Sequence, residues 1–240
     1  MHYEDQDYRR AGVIVGLLFI VATLFLFLGE AFYRSYLDHT AVLTIAAENK
    51  PIIIFGLLIE LICILAMPLI GAFIYPVLRR VSTRFALTYF FFRSLEGIIL
   101  INVALTNKFA LITLSDAVAM GADPTLAESA RMLVEAQNAW GNTDGLLYNV
   151  IFGLGALCLY SMLFQAKLIP RWISVWGVIA IAILMALVIA AMLFPMPAWT
   201  ALLLVPIAVQ EMVMALWFIF RGFDFGTLEA DNADTAEVTS

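Results

Sequence analysis

Four ionisable side chains lie inside long apolar stretches of this sequence, and they are the residues best placed to do chemistry. Glu60, Arg93, Glu96 and Glu211 each stand well away from the ends of an apolar run. An ionised side chain at the centre of a membrane costs on the order of 3 kcal/mol even on a lenient insertion scale. Such groups therefore face the protein interior, where they meet one another or a ligand.

The spacing of these residues predicts a shared polar site at mid-depth. Arg93 and Glu96 are three positions apart, so that one helix presents both on the same face. Only residues 77–84 separate their stretch from the one that holds Glu60, which makes the two helices antiparallel neighbours. Gln210 precedes the acid of the last stretch, and its amide can donate a hydrogen bond. We predict that the candidates for a ligand or ion site are Glu60, Arg93, Glu96, Gln210 and Glu211.

The charge balance of these residues is compatible with both a functional and a structural role for the cluster. Three carboxylates share one guanidinium, and both burial and like-charged neighbours disfavour ionisation, so at least one carboxyl group is predicted to be neutral. A cluster that holds an extra proton is what proton-coupled carriers use. A purely structural, hydrogen-bonded core would contain the same groups, and the two alternatives remain at this point.

No other pattern for catalysis or cofactor binding stands out. A Ser/His/Asp arrangement, a Walker loop and a dinucleotide-binding glycine motif are all absent from the sequence. His2 and His39 lie outside the apolar stretches, which excludes a haem held by paired histidines. Cys63 and Cys158 lie inside apolar runs, where a free thiol behaves as a small hydrophobe. We predict no cofactor and no metal site, and the sequence favours a role without catalysis.

The composition places these groups in a membrane. By length, 240 residues would form one or two soluble domains, but 63% of them are hydrophobic and 13% are charged, about half the usual charged fraction. A soluble fold of this size cannot bury that much apolar surface. The net charge of −6 argues against nucleic-acid partners, because phosphate binding needs a clustered positive surface. The partner predicted for this chain is the lipid bilayer.

Six stretches are long and apolar enough to cross about 30 Å of hydrocarbon, which takes about 20 residues. They are Ala11–Tyr33, Pro51–Pro76, Phe85–Thr106, Thr143–Gln165, Trp172–Leu193 and Ala198–Phe220. Strand-like segments with period-two alternation are absent. The sequence predicts an all-α, polytopic bundle of six transmembrane helices with an amino-terminal cytoplasmic segment at 1–10, a membrane domain at 11–221 and a disordered acidic cytoplasmic tail at 222–240.

Lys and Arg residues near the ends of the stretches predict the orientation. With the amino terminus inside, the inner segments hold eight of the thirteen cations and the outer segments hold four, with Arg93 inside the membrane. The outer four are Arg34, Lys50, Lys108 and Arg131. The excess of inner cations predicts that both termini are cytoplasmic.

The outer connection at 107–142 contains a helix start. Asp123 can cap a helix, and Pro124 is tolerated at its first position. Apolar residues recur at helical spacing from Leu126 to Val134, opposite Glu128 and its charged neighbours. This pattern predicts an amphipathic helix that lies along the outer surface or caps the bundle.

Three stretches of the sequence carry a family resemblance. They are Phe92-Arg93-Ser94-Leu95-Glu96, Leu168 to Gly177, and Pro206 to Met212 followed by Trp217 and Arg221-Gly222-Phe223. With these stretches in this order, the chain resembles the domain-of-unknown-function family 4386 of prokaryotic integral membrane proteins, from Arg10 to Phe223. The resemblance implies a small multi-helix protein of a prokaryotic cytoplasmic membrane, and it brings no established activity or ligand.

Three functions fit these observations. A small carrier or ligand-binding membrane protein would use the buried Glu/Arg cluster, with Arg93 holding an anionic group and a glutamate carrying a proton or cation. A non-catalytic accessory or assembly protein would use the buried charges to set helix register. An intramembrane lipid-modifying enzyme would use paired carboxylates as acid and base, but it would also need a nucleophile or metal that the sequence does not offer.

Overall fold

The computed structural model describes residues 2–39, 41–141, 143, 145–195 and 197–226. This part of the chain is helical and contains no strand, and six of its helical segments are long and apolar enough to cross a membrane. These segments are Asp7–Leu37, Lys50–Leu78, Thr83–Ala119, Pro124–Gln165, Arg171–Leu193 and Leu202–Phe220. The predicted all-α fold with six spans is confirmed. Most of the predicted acidic tail falls on 227–240, outside the described residues.

Nine α-helices occur in the described ranges, together with one π-helical and one 3₁₀ segment. The α-helices are α1 (His2–Leu37), α2 (Val42–Glu48), α3 (Lys50–Leu78), α4 (Thr83–Ile99), α5 (Thr106–Ala119), α6 (Pro124–Gly141), α7 (Leu146–Gln165), α8 (Arg171–Leu193) and α9 (Val205–Phe220). The π segment, Leu100–Leu105, joins α4 to α5, and the 3₁₀ segment, Ala198–Leu204, leads into α9.

The third span is longer than the sequence suggested. Helix α4, the π segment and α5 form one helical run from Thr83 to Ala119, whereas we expected a span that ends at Thr106. Our assignment of Lys108 to an outer connection is therefore wrong, because Lys108 is buried in α5. A lysine inside an apolar helix is tolerated when a carboxylate neutralises it, so a single charge did not mark the end of the helix.

The chain forms two compact units. Unit 1 contains Met1–Ile20, Pro68–Ser94 and Phe152–Ser240, and unit 2 contains Val21–Met67 and Leu95–Ile151. The eight cations predicted to lie inside all belong to unit 1, and the four predicted to lie outside all belong to unit 2.

Unit 2 packs around an apolar core from α1, α2, α3, the π segment and α5. Helices α1 and α3 approach closely at two glycines. A Cβ on Gly29 would lie 2.8 Å from the carbonyl oxygen of Gly56, and a Cβ on Gly56 would lie 2.8 Å from that of Gly29. Small residues let the backbones of membrane helices come this close. The crossing brings Tyr33, one turn after Gly29, to the part of α3 that carries Glu60.

Helix α6 confirms that a helix begins at Asp123-Pro124, and its place at the outer surface stays a prediction. It begins at Pro124, and Asp123 Oδ1 accepts a hydrogen bond of 2.8 Å from the backbone N–H of Thr125. The side of α6 with Ala127 and Val134 packs on unit 2, while Leu126 is 71% exposed. The predicted apolar face is thus divided, since Val134 packs inward and Leu126 stays exposed.

In unit 1, Arg9 from the start of α1 caps the end of α9. Its guanidinium donates hydrogen bonds to the backbone carbonyls of Phe218 at 3.1 Å, Ile219 at 2.6 Å and Phe220 at 3.2 Å. The last carbonyls of a helix have no partner within the helix, and a cation there also offsets the negative end of the helix dipole.

Replacing Arg9 with glutamine is expected to lower the free energy of unfolding by about 1–2 kcal/mol, because the freed carbonyls lose charge-assisted bonds. Unfolding of the purified protein by sodium dodecyl sulfate in mixed micelles measures this loss. The control is R10Q, since Arg10 forms an exposed ion pair with Asp7 at 3.8 Å and the removal of such a pair should cost about 0.5 kcal/mol or less. Equal losses in the two variants would contradict the capping role.

Candidate functional site

A buried ion pair in unit 2 joins Lys108 to Glu60. Lys108 Nζ donates to both carboxylate oxygens of Glu60, at 2.7 Å and 2.8 Å, and to the hydroxyl oxygen of Tyr33 at 2.7 Å. Glu60 is 1% exposed and Lys108 is 8% exposed. The ammonium group has three donors, and all three are used.

Three helices position this group. Glu60 comes from α3, Lys108 from α5 and Tyr33 from α1. The close crossing at the two glycines places Tyr33 beside α3, and the Tyr33 ring centroid lies 4.5 Å from Lys108 Nζ. Removing two charges from water is costly, and an attraction at hydrogen-bond distance with satisfied donors offsets that cost.

A cavity of about 370 Å³ adjoins this ion pair within unit 2. Its wall comes from the end of α1 and the residues that follow it, from α5, and from α6. The lining residues are Tyr33, Leu37, Asp38, His39, Lys108, Leu111, Arg131, Glu135 and Asn138. This volume is in the range of small-molecule sites, which are commonly 300–1,000 Å³.

Most polar groups of the cavity wall already have protein partners. Arg131 forms ion pairs with Glu128 and Glu135, and its side chain is 18% exposed. Asn138 Oδ1 accepts a hydrogen bond of 3.0 Å from Asn107 Nδ2. A ligand in this cavity would therefore compete with internal partners for the two cations.

Unit 1 holds a second set of buried polar groups. Tyr160 Oη donates to Gln210 Oε1 at 2.7 Å, and Gln210 Nε2 donates to the carbonyl of Ile173 at 3.1 Å. The Arg93 guanidinium lies 5.2 Å from the centroid of the Phe19 ring and is close enough to Glu211 to interact with it electrostatically. Gln210 is fully buried, Arg93 is 4% exposed and Glu211 is partly buried.

The five predicted site residues belong to both units. Within unit 1 the structure brings Arg93, Gln210 and Glu211 into one polar region. In unit 2, Glu60 forms the ion pair described above, and Glu96 lies fully buried in α4. The role of all five in ligand or ion binding stays a prediction.

Lys108 is the functional candidate that sequence reasoning missed. With it, the buried ionic set has two cations instead of one. A signal was present, since Ala104, Leu105, Lys108, Leu111 and Ile112 recur at helical spacing and are all buried. Lys108 therefore occupies an inward position of an unbroken helical pattern.

Helical spans that enclose paired ionisable groups define this chain as a multi-pass membrane protein. The chain belongs to the family described as Domain of unknown function (DUF4386), whose model matches residues 14–222. The family resemblance of the sequence is thereby confirmed. No curated protein and no solved structure matches the chain.

Proposed function

We propose that this protein is a small carrier or ligand-binding membrane protein whose site is the cavity of unit 2. The observation that supports this function is that Lys108 has two roles. It lines the cavity, and it is also the partner of the buried carboxylate of Glu60. A ligand that enters the cavity can therefore alter an ion pair inside the membrane-spanning helices.

The lining residues support a small ligand with an anionic group. Lys108 and Arg131 are cations that bind carboxylate or phosphate oxygens, and the Tyr33 hydroxyl is beside Lys108. Asp38 and Glu135 line the same cavity and can accept hydrogen bonds from an ammonium group. A zwitterion such as a small amino acid satisfies both sets of groups.

Binding of an anionic group at Lys108 would be coupled to the buried ion pair. The anion competes with Glu60 for the ammonium group, and a buried carboxylate without its cation is costly. Glu60 is therefore an internal competitor of the ligand. Lys108 and Arg131 take the anion-holding role that the sequence suggested for Arg93.

We also propose a prokaryotic cytoplasmic membrane as the location, with both termini in the cytoplasm. Support comes from the eight inner cations against the three that remain outside, Arg34, Lys50 and Arg131, since the side richer in Lys and Arg is the cytoplasmic one. In this orientation Arg131 of the cavity belongs to the outer set. The ligand would enter from outside the cell.

A thermal-stability screen of the purified protein tests the proposal. The probes are glycine, alanine, glutamate, acetate and succinate, and a ligand is expected to raise Tm in a concentration-dependent manner. R131Q should weaken its binding about tenfold or more, because a charge-assisted contact is lost. The matched control is K50Q, since Lys50 pairs with Asp116 outside the cavity and its loss should leave affinity unchanged.

Two results would overturn this function. One is a screen in which none of the probes changes Tm. The other is a shift that persists at equal affinity in R131Q. Either result would favour the accessory or assembly role, in which buried charges only set helix register.

A further inference from the structure

Unit 1 contains a cavity of about 610 Å³ that the proposed function does not use. It lies between the α7–α8 connection and the end of α9. Lys167 and Arg171 line it from the connection, and Trp217, Arg221 and Asp224 line it from the carboxyl-terminal side.

The lining of this cavity is positively charged. Three cations face one carboxylate, and in the described part of the chain Lys167, Arg171 and Arg221 have no ion pair within 4.0 Å. The Asp224 carboxylate accepts a hydrogen bond of 3.0 Å from the backbone N–H of Gly226. The protein therefore leaves an excess of positive charge for an anion to neutralise.

Backbone contacts hold the two sides of the cavity together. The N–H of Asp224 donates to the carbonyl of Leu168 at 2.9 Å, which fixes the segment after α9 against the α7–α8 connection. Lys167 adopts a φ of 52°, in the left-handed region that favours glycine. The chain thus places a cation, at some conformational cost, where a glycine would fit with less strain.

Exposed apolar side chains directly precede or follow lining residues of the cavity in the sequence of α8 and α9. Trp172 is 55% exposed, Leu216 is 46% exposed and Phe220 is 71% exposed. In a membrane protein such a surface contacts acyl chains, and tryptophan is enriched at the level of the headgroups. A basic cavity whose lining residues alternate in sequence with such side chains matches a ligand with a phosphate group and a hydrocarbon tail.

We propose that this cavity binds the phosphate group of an anionic phospholipid through Lys167, Arg171 and Arg221. The acyl chains would lie against Trp172, Leu216 and Phe220. All of the cations of the cavity belong to the set predicted to face the cytoplasm, where anionic headgroups attract basic residues. This site is separate from the cavity assigned above to the small ligand, and it does not depend on that assignment.

Native mass spectrometry of the full chain, released from detergent with added lipid, tests the site. With phosphatidylglycerol we expect one retained lipid per protein, and with phosphatidylcholine none. The double variant K167Q/R221Q should weaken phosphatidylglycerol retention more than tenfold, because each cation near an anionic headgroup contributes about a factor of five. The matched control R79Q/R84Q removes two cations from the same predicted side and outside the cavity, and it should weaken retention less than threefold.

A competition experiment with inorganic phosphate distinguishes a site for a lipid from a site for a free anion. Inorganic phosphate is titrated against the detergent-solubilised protein, and it should displace phosphatidylglycerol only at concentrations at least a hundredfold higher. Displacement at equal concentration would identify a free-phosphate site and overturn the lipid assignment. Equal losses in the two double variants would also overturn it, since they would indicate general surface charge. If the double variant is unstable, the single variant K167Q replaces it, because Lys167 is exposed. The Tm of each variant is measured beside each titration to show that the protein is folded.

Discussion

Replacing Lys108 with methionine is expected to lower the free energy of unfolding by about 3–5 kcal/mol, which is a large part of the stability of a protein of this size. The variant leaves the Glu60 carboxylate buried without its cation. Unfolding in mixed micelles, with helicity followed by circular dichroism, measures the loss. A loss below 1 kcal/mol would contradict the ion pair.

The control for this prediction is the double variant E60Q/K108M. It removes both charges, so that no uncompensated ion remains, and most of the stability should return. A double variant as unstable as K108M would show that Lys108 contributes by packing and not by neutralising Glu60. The cycle of single and double variants isolates the pairwise energy.

The same double variant separates the proposed function from a structural role. If the ion pair serves only helix register, E60Q/K108M folds and nothing else changes. If the cavity of unit 2 holds an anionic ligand, the folded double variant loses ligand binding together with the anchoring cation. The stability result and the binding result are therefore independent.

Replacing Gly56 with alanine is expected to lower the free energy of unfolding by about 2 kcal/mol, although alanine has the higher helix propensity. The added Cβ would lie 2.8 Å from the Gly29 carbonyl oxygen and 2.8 Å from Phe32 Cβ. Helix backbone cannot yield locally, so α1 and α3 must move apart. The added Cβ would also lie 3.1 Å from Tyr33 Cδ1, so the ring of Tyr33 is displaced as well.

Gly153 offers a matched control for the helix crossing. It lies within α7, and its added Cβ would meet Met185 Sδ at 3.2 Å, a flexible side chain that can move. The change in stability of G153A should stay within about 1 kcal/mol, since the gain in helix propensity offsets the small displacement. Equal losses in G56A and G153A would mean that any alanine at a buried helical glycine is harmful, and that the α1–α3 crossing has no special role.

Local features of the sequence predicted most of the secondary structure. The six spans follow from uninterrupted apolar stretches, and the surface helix follows from Asp123 and Pro124 at its start. Both depend on neighbouring residues only. The third span was predicted too short because Lys108 interrupts the apolar composition, although it preserves the helical spacing of the buried face.

The sequence by itself determined that the chain is a membrane protein, because the free energy of placing a segment in lipid is a sum over consecutive residues. It also determined that Glu60 and Arg93 are buried in the protein, because both lie inside stretches that the same sum places in lipid. The partners of these groups were decided only by the tertiary structure. Lys108 is 48 positions from Glu60, and Arg131 reaches the shared cavity from a helix that the sequence could place only at the surface. Which charges form pairs depends on where the helices cross. Helices α1 and α3 cross where the backbones of Gly29 and Gly56 are in contact, and no pattern of neighbouring residues predicts that these two glycines meet.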